Sequence, residues 1–459
     1  MRFNLIQKTP LYNAFSELGK RILLPDGIYY WSGRAKKEAE LIGTIGSAYA
    51  YEKDFIDGGR NEWLPCYLKD ILEYSSLAVK EIVPYASIGG LSETREIWKN
   101  WMIKKSLYNE ESEKSLLERL EKYISHPVIT AGITNGIFQS CAMFLNPDEI
   151  IIAPNKRWGN YDNIITKFIG ARIKSFEFFE EDHINIDALE AAINETAKIQ
   201  DKIIIILNFP NNPTGYVPTN EEVREIVNLL RKSYKLHSKP IIMIIDDAYE
   251  PFIYSKNVLN TSLFYDLHQL DENIIPIKLD GITKELLAYG GRIGFITIGI
   301  KPSWIENDDQ LELLKSEIQN KFEGFNRATI SNCNHFYQSL TYKLFIDKGI
   351  EQIIKSRDKV KQILKKRYKK INAELSKINN PNISIDPNSG GFFLFVNLNP
   401  TKYSANKFAD YLLKKYKVGI IPMENPDEKI NGIRIAYCSI DFAEIPELTR
   451  RINLALNDF

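Results

Sequence analysis

Five large aliphatic residues in a row, Ile203-Ile204-Ile205-Ile206-Leu207, leave this chain few ways to fold. A strand with one wet face alternates apolar and polar side chains, so an unbroken run needs both of its faces covered. Ile241 to Ile245 repeats the pattern, and further strand candidates are Val128 to Ala131, Glu149 to Ala153, Arg172 to Phe178, Ile274 to Leu279 and Ile293 to Ile298. Stretches of helical period stand between them: Gly136 to Leu145, Tyr161 to Phe168, Ile186 to Glu195 and Asn220 to Ser233. This alternation predicts an α/β domain with a largely parallel sheet.

The remainder reads differently. Helical patterns at Asp309 to Phe322, around His335 to Phe345 and from Lys355 to Ile378 precede strands at Ile383 to Asp386 and Gly391 to Leu398. A helix at Ala405 to Lys415, a strand at Gly432 to Tyr437 and a helix from Ile445 to Leu456 complete a smaller α+β unit, joined by N-terminal residues. The expected division is an N-terminal segment over 1–95, a large domain over 96–335 and a small domain over 336–459.

Several kinds of chemistry drop out early. Lysine plus arginine and aspartate plus glutamate both number 59, a balance that argues against a nucleic-acid or anionic-membrane partner. No apolar run approaches the ~18 residues of a membrane span, and Met1 to Pro10 is too polar for a signal peptide, so a cytoplasmic protein is expected. The four cysteines contain no CxxC pair and the five histidines are dispersed, which gives no metal site and no Ser-His-Asp triad.

What remains is the mouth of the sheet. Ligands of parallel sheets sit at the carboxyl ends of the strands, so the residues just after each run matter most. Gly132-Ile133-Thr134 opens a helix, either as an anion cradle of backbone amides and a hydroxyl or as a plain capping turn. Trp158, after Ala153, can present a flat face, and Asn212 lies in a proline-restricted turn after Leu207. Asp246 and Tyr249 follow Ile245, Lys284 follows Leu279, and Arg292 heads the next run. A lysine between core strands either snorkels outward or has its pKa lowered and serves as an amine. Upstream, Gly43 and Gly46 stand in an apolar run as a backbone that something approaches closely, or as a plain bulge.

In this order, Gly132-Ile133-Thr134, Arg157-Trp158-Gly159-Asn160, Asn212-Pro213-Thr214-Gly215, Asp246-Asp247-Ala248-Tyr249 and Thr283-Lys284 with Arg292 resemble the fold-type I pyridoxal-phosphate enzymes, specifically the class I/II aminotransferases of aspartate and aromatic type. The resemblance runs from about Ile45 to Arg434 and implies a three-layer fold with a mostly parallel sheet and pyridoxal 5'-phosphate as cofactor. It implies Lys284 as the Schiff-base lysine and proton shuttle, Asp246 as partner of the pyridine nitrogen, and Asn212 and Tyr249 at the ring 3′ oxygen. Trp158 would stack on the ring, and Ile133, Thr134, Thr283 and Arg292 would hold the phosphate. Many relatives carry a phosphate-binding serine where this chain has Gly281, which shifts that task toward Thr283 and Arg292.

The same resemblance gives Arg434 the substrate α-carboxylate, with Gly46, Asn212 and Trp158 beside it, and makes Tyr85 a phosphate ligand reaching across a homodimer. Arg327 resembles a reader of a distal carboxylate; otherwise it pairs with a neighbouring acid and the pocket favours aromatic or apolar amino acids. Phe392 and Phe393 line that pocket or the core. The implied reaction is transamination between an L-amino acid and a 2-oxo acid, 2-oxoglutarate by preference. A β- or γ-eliminating lyase on the same scaffold is the alternative, and a non-catalytic regulatory module stands behind it, although no DNA-binding pattern precedes the first motifs.

Overall fold

The computed structural model describes residues 5–24, 26–74, 77–106 and 114–459. The apolar runs become seven strands of one sheet: β1 (Val128–Thr130), β2 (Ile150–Pro154), β3 (Arg172–Phe176), β4 (Ile203–Asn208), β5 (Ile241–Asp246), β6 (Ile274–Gly281) and β7 (Gly294–Ile298), in spatial order β1-β7-β6-β5-β4-β2-β3. Neighbours from β3 to β6 are parallel, whereas β7 runs antiparallel to both β6 and β1. The unbroken isoleucine runs are explained by cover on both faces. Ile204, Ile206, Ile242 and Ile244 pack with Ile137, Cys141 and Tyr161, while Ile203, Ile205, Ile241 and Ile245 pack with Leu189, Ile226, Leu230 and Phe264.

The register fixes the mouth of the sheet. Asn208, Asp246 and Leu279 stand side by side at the carboxyl ends of β4, β5 and β6. Because β7 returns antiparallel, with Gly281 opposite Gly294, the whole connection holding Lys284 and Arg292 stays at that same end. A parallel β7 would have carried Arg292 to the far end of the sheet.

The helices that matter below are α1 (Asp26–Glu38), α2 (Ser92–Ser106), α3 (Ile133–Phe144), α4 (Ile186–Ala197), α5 (Asn220–His237), α6 (Ile282–Glu285), α7 (Asp308–Thr329), α8 (His335–Leu375), α9 (Ala405–Tyr416) and α10 (Ile445–Asp458). A second sheet, fully antiparallel, is built from β8 (Ile383–Ile385), β9 (Leu394–Leu398), β10 (Ile421–Asn425) and β11 (Ile430–Ile435) in the order β8-β9-β11-β10.

Some elements depart from expectation for clear reasons. β10 carries Pro422, which reads as a strand breaker but is tolerated on this edge strand. α3 starts at Ile133 rather than Gly136, because Gly132 takes φ 79° and turns the chain into the helix. The Tyr161 region is one short α-turn, Asn160–Asp162, followed by a π-helix over Asn163–Ile169. The two helices expected around His335 and Lys355 form one run with a break at Gly349, where φ is 73° and ψ 160°. α1 has no counterpart in the sequence reading. Among the described residues no helix is long and apolar enough to cross a membrane.

Candidate active site

The end of β1 sets the anion pole. A Cβ on Gly132 would lie 2.3 Å from Nη2 of Arg292, so only glycine lets that guanidinium rest against the start of α3. Ile133 and Thr134 head α3, where backbone N–H groups have no acceptor within their own helix. Thr283 contributes a buried hydroxyl without a hydrogen-bond partner, and Arg292 has no carboxylate within 4 Å among the described residues. Gly281 is explained by space: a Cβ there would meet Ile293 O at 2.5 Å and the Gly294 Cα at 2.8 Å, which leaves no room for a serine in this backbone.

Beside that pole, Asp246 ends β5 with both carboxylate oxygens engaged. Tyr161 Oη donates to Oδ2 at 2.6 Å and the Ala248 amide to Oδ1 at 3.1 Å. Burial pushes its carboxyl up to about 6 against the opposing pull of these two bonds and of Lys284. Asn208 Nδ2 donates to the Asp246 carbonyl at 2.7 Å, and Asn208 Oδ1 accepts the Asn212 amide at 2.8 Å, so β4 and β5 are latched where they open into the site.

Lys284 lies in α6. Its Nζ sits 5.1 Å from the Tyr289 ring centre and 5.7 Å from that of Tyr249, with no acid within ion-pair distance among the described residues. Burial pulls the amine down to about 8; nearby Arg292 adds to the shift, and Cys438 and Asp246 oppose it. Arg434, buried on β11, donates from Nη1 to Asn212 Oδ1 and from Nη2 to the Thr44 carbonyl, both at 3.1 Å, while its Nε has no partner. Its guanidinium carbon stands 4.3 Å from the Phe393 ring centre. Burial lowers its pKa to about 10. A buried guanidinium without an acid is an open position for a carboxylate.

These groups line one cavity of about 230 Å³, together with Gly46, Trp158, Tyr249 and Phe393. Gly46 keeps a close approach open, since a Cβ there would sit 3.2 Å from Phe393 Cζ. Trp158 lies edge to face with Tyr161 at 5.7 Å. Its loop is locked by Arg157, which bridges Asp162 at 2.6 Å and Glu428 at 2.9 Å. A larger cavity of about 660 Å³ lies against the second sheet, but its asparagines are already engaged within the protein: Asn399 Nδ2 donates to Asn382 Oδ1 at 3.1 Å and Asn431 Nδ2 to the Leu398 carbonyl at 2.8 Å. The smaller cavity holds the unpaired charges, and chemistry belongs there.

Of the residues expected at the site, Gly46, Ile133, Thr134, Trp158, Asn212, Asp246, Tyr249, Thr283, Lys284, Arg292 and Arg434 come together. Two do not line this cavity. Tyr85 is 91% exposed. Arg327 is exposed in the last turn of α7, where Nη1 donates to Ser331 Oγ at 2.7 Å; α7 continues past Phe322 to Thr329 and holds it away from the cavity of its own chain. Tyr161, Asn208 and Ile28 were missed. Tyr161 carried a faint signal, standing three residues after Trp158 on a helical turn; Ile28 comes from α1 and carried none.

The sequence model for "Aminotransferase class I and II" matches residues 105–452. Aromatic-amino-acid aminotransferase 2 of Thermococcus litoralis is 22% identical over 335 residues, spanning 72% of this chain and 76% of its own. Aspartate aminotransferase of Pyrococcus abyssi is 23% identical over 339 residues, with the same coverage of 72% and 76%. In fold, the crystal structure of an aminotransferase from Anaerococcus prevotii superposes with a TM-score of 0.79 at 22% identity, over 97% of this chain and 99% of that one.

Proposed function

The chain belongs to the class I and II aminotransferases, pyridoxal-phosphate enzymes of fold type I, and from that premise we propose that it moves the amino group of an L-amino acid to a 2-oxo acid, 2-oxoglutarate by preference, with Lys284 as the amine at the reaction centre. The observation that carries this reading is Lys284 itself: a half-buried amine with no acid to pair among the described residues, facing the cavity that also holds Asp246 and Arg434.

The residues present fit the cofactor. When bound, pyridoxal phosphate supplies an aldehyde that takes up amino groups and a ring that withdraws electrons from the substrate α-carbon. Thr283 Oγ1, the Ile133 and Thr134 amides and Arg292 would hold the phosphate; Thr283 Oγ1 is a buried donor still without an acceptor. Asp246 would keep the proton on the ring nitrogen, and Tyr161 would hold that carboxylate ionised and in place. Asn212 spends its Oδ1 on Arg434, which leaves Nδ2 to donate to the ring 3′ oxygen beside Tyr249. Trp158 would cover the ring face. Arg434 would grip the substrate α-carboxylate through Nε and Nη, and Lys284 Nζ would carry the proton between the substrate α-carbon and cofactor C4′.

Ile28, Ile137, Trp158, Ala248 and Phe393 wall the cavity, while Arg327 stays outside it. That composition favours an aromatic donor over aspartate. We also read the enzyme as a cytoplasmic homodimer that shares its active sites through Tyr85. Tyr85 is 91% exposed and shares its segment with Val79 and Val83, exposed at 72% and 70%, an apolar set suited to cover by a second copy.

The test is the visible absorbance of the purified protein on addition of single amino acids. A yellow band that bleaches with phenylalanine or tyrosine and returns with 2-oxoglutarate is the expected result. Release of ammonia without any need for an oxo acid would replace transamination by elimination, and a protein that stays colourless with added pyridoxal phosphate would overturn the reading.

A further inference from the structure

Directly behind Lys284 lies a buried set of charges that the reaction does not touch. Lys278, on β6, pairs with Asp247 and with Glu250 at 2.9 Å; Lys105, on α2, pairs with Glu250 at 2.8 Å and Glu285 at 3.2 Å; and Glu285 pairs with Arg357 of α8. Asp280 lies 3.8 Å from Lys105 and accepts a bond from Trp98 Nε1 at 2.9 Å. Ser262 Oγ donates to Asp247 at 2.6 Å. All seven charged residues are buried.

Such a set is poor value as a source of stability, because apolar residues of equal volume commonly do as well or better. Its placement says more. Asp247 follows Asp246, and Glu285 follows Lys284. Among the described residues, Lys105 is the cation that bonds both to the segment after β5, through Glu250, and to α6, through Glu285. It therefore spans the two pieces of chain that present the carboxylate and the amine. The Trp98 and Trp101 rings flank its ammonium at 5.9 and 5.6 Å, so it has little room to shift.

We propose that Lys105 and Glu285 are positioning residues for the reaction: the Glu250-Lys105-Glu285 bridge fixes the turn that presents Lys284 relative to the strand end that presents Asp246. The proposal rests on the function given above. Neither residue lines the cavity; both act through Lys284. A displacement of about 1 Å at a reacting group costs on the order of 100-fold in rate, which sets the scale of what the bridge protects.

The test uses the full-length holoenzyme and three variants: Glu285→Gln, Lys105→Arg, and the double variant Lys105→Met/Glu285→Gln, which removes one charge of each sign. The readouts are kcat and donor KM, the pH midpoint of the visible cofactor band, and the thermal midpoint. We expect kcat of the double variant to fall about 10- to 100-fold with donor KM within about twofold, since Arg434 is untouched. The pH midpoint of the band should move by half a unit or more, and Lys105→Arg should recover most of kcat. Folded variants with unchanged kcat and an unchanged band would overturn the proposal. So would a lowered thermal midpoint with the band and kcat intact, or failure of both Glu285 variants to fold, either of which assigns the bridge to the fold alone. A parent protein with no pH-dependent band would instead refute the function itself.

Discussion

Two cationic regions, one fully buried and one lining a cavity, lie back to back in this molecule and are built on opposite rules. In the cluster behind α6, Lys105, Lys278 and Arg357 each meet at least one carboxylate within 3.2 Å. In the cavity, Lys284 and Arg434 meet none among the described residues, and burial pulls their pKa values down to about 8 and about 10. A buried charge left without a partner is costly, so a fold that keeps two such cations in one cavity is arranged for anions that arrive with ligands. Paired charges hold the architecture; unpaired ones mark the work.

The largest expected effect tests the unpaired lysine. Lys284→Ala should lower transamination by on the order of 10⁴-fold or more with the circular dichroism spectrum unchanged; substantial turnover in a folded variant would end its role. The arginines sharpen the contrast. Arg434→Ala should lower kcat/KM by about 100- to 1000-fold through lost charged hydrogen bonds to the substrate carboxylate, and should change the stability of the cofactor-free chain little, because no acid is orphaned and relief of a buried guanidinium offsets the bonds lost to Asn212 and Thr44. Arg357→Met removes a partner of buried Glu285 and should cost about 3–5 kcal/mol of unfolding free energy in denaturant titration. Equal stability losses for the two variants would erase the distinction.

The lysine also leaves a signature in pH. Its folded-state pKa of about 8 lies below the ordinary 10.5, so between those values the unfolded chain binds the proton that the folded one has released. Stability therefore rises with pH across that window, and below it the folded state carries the full cost of a half-buried, unpaired ammonium. In the cofactor-free chain, Lys284→Met should be more stable than the parent by about 1–3 kcal/mol at pH 7, with the advantage fading by about pH 10.5. An advantage independent of pH would mean that packing, and not charge, sets it.

Much of this was legible in the sequence, and the reason differs by region. The isoleucine runs could only be strands covered on both faces, and the residues after them are at the mouth because parallel strands point the same way. Lys284 and Arg292 shared that mouth for a reason no pattern shows: β7 is antiparallel, and periodicity carries no direction. The same blindness hid the partners. Tyr161, Asn208 and the Lys105 bridge are pairings across long sequence separations, set by register and helix docking and not by local spacing. Gly281 had read only as a missing serine, until the packing showed that a side chain there would strike Ile293 and Gly294.

Tyr161 tests whether the missed partners matter. Tyr161→Phe removes one neutral donor worth about 1 kcal/mol from Asp246, and should weaken retention of pyridoxal phosphate by about fivefold with a kcat loss of similar size. Equilibrium titration of the cofactor-free variant with pyridoxal phosphate measures it, and unchanged affinity would reduce Tyr161 to a spacer.

The smallest effect is expected at Arg327, and it probes the edge of the comparison. Like Lys284 and Arg434, this arginine has no acid partner among the described residues, yet it lies outside the cavity, exposed and bonded to Ser331, so water bears the burden of its charge and its freedom carries no message. If burial is what turns an unpaired cation into a binding group, Arg327→Ala should change KM for 2-oxoglutarate and for phenylalanine by less than about twofold each. A rise in KM confined to 2-oxoglutarate would show that a second copy of the chain covers this surface and makes Arg327 a reader of the distal carboxylate. Exposure in one chain would then be the wrong measure of which cations are at work, and the comparison would have to be drawn again on the dimer.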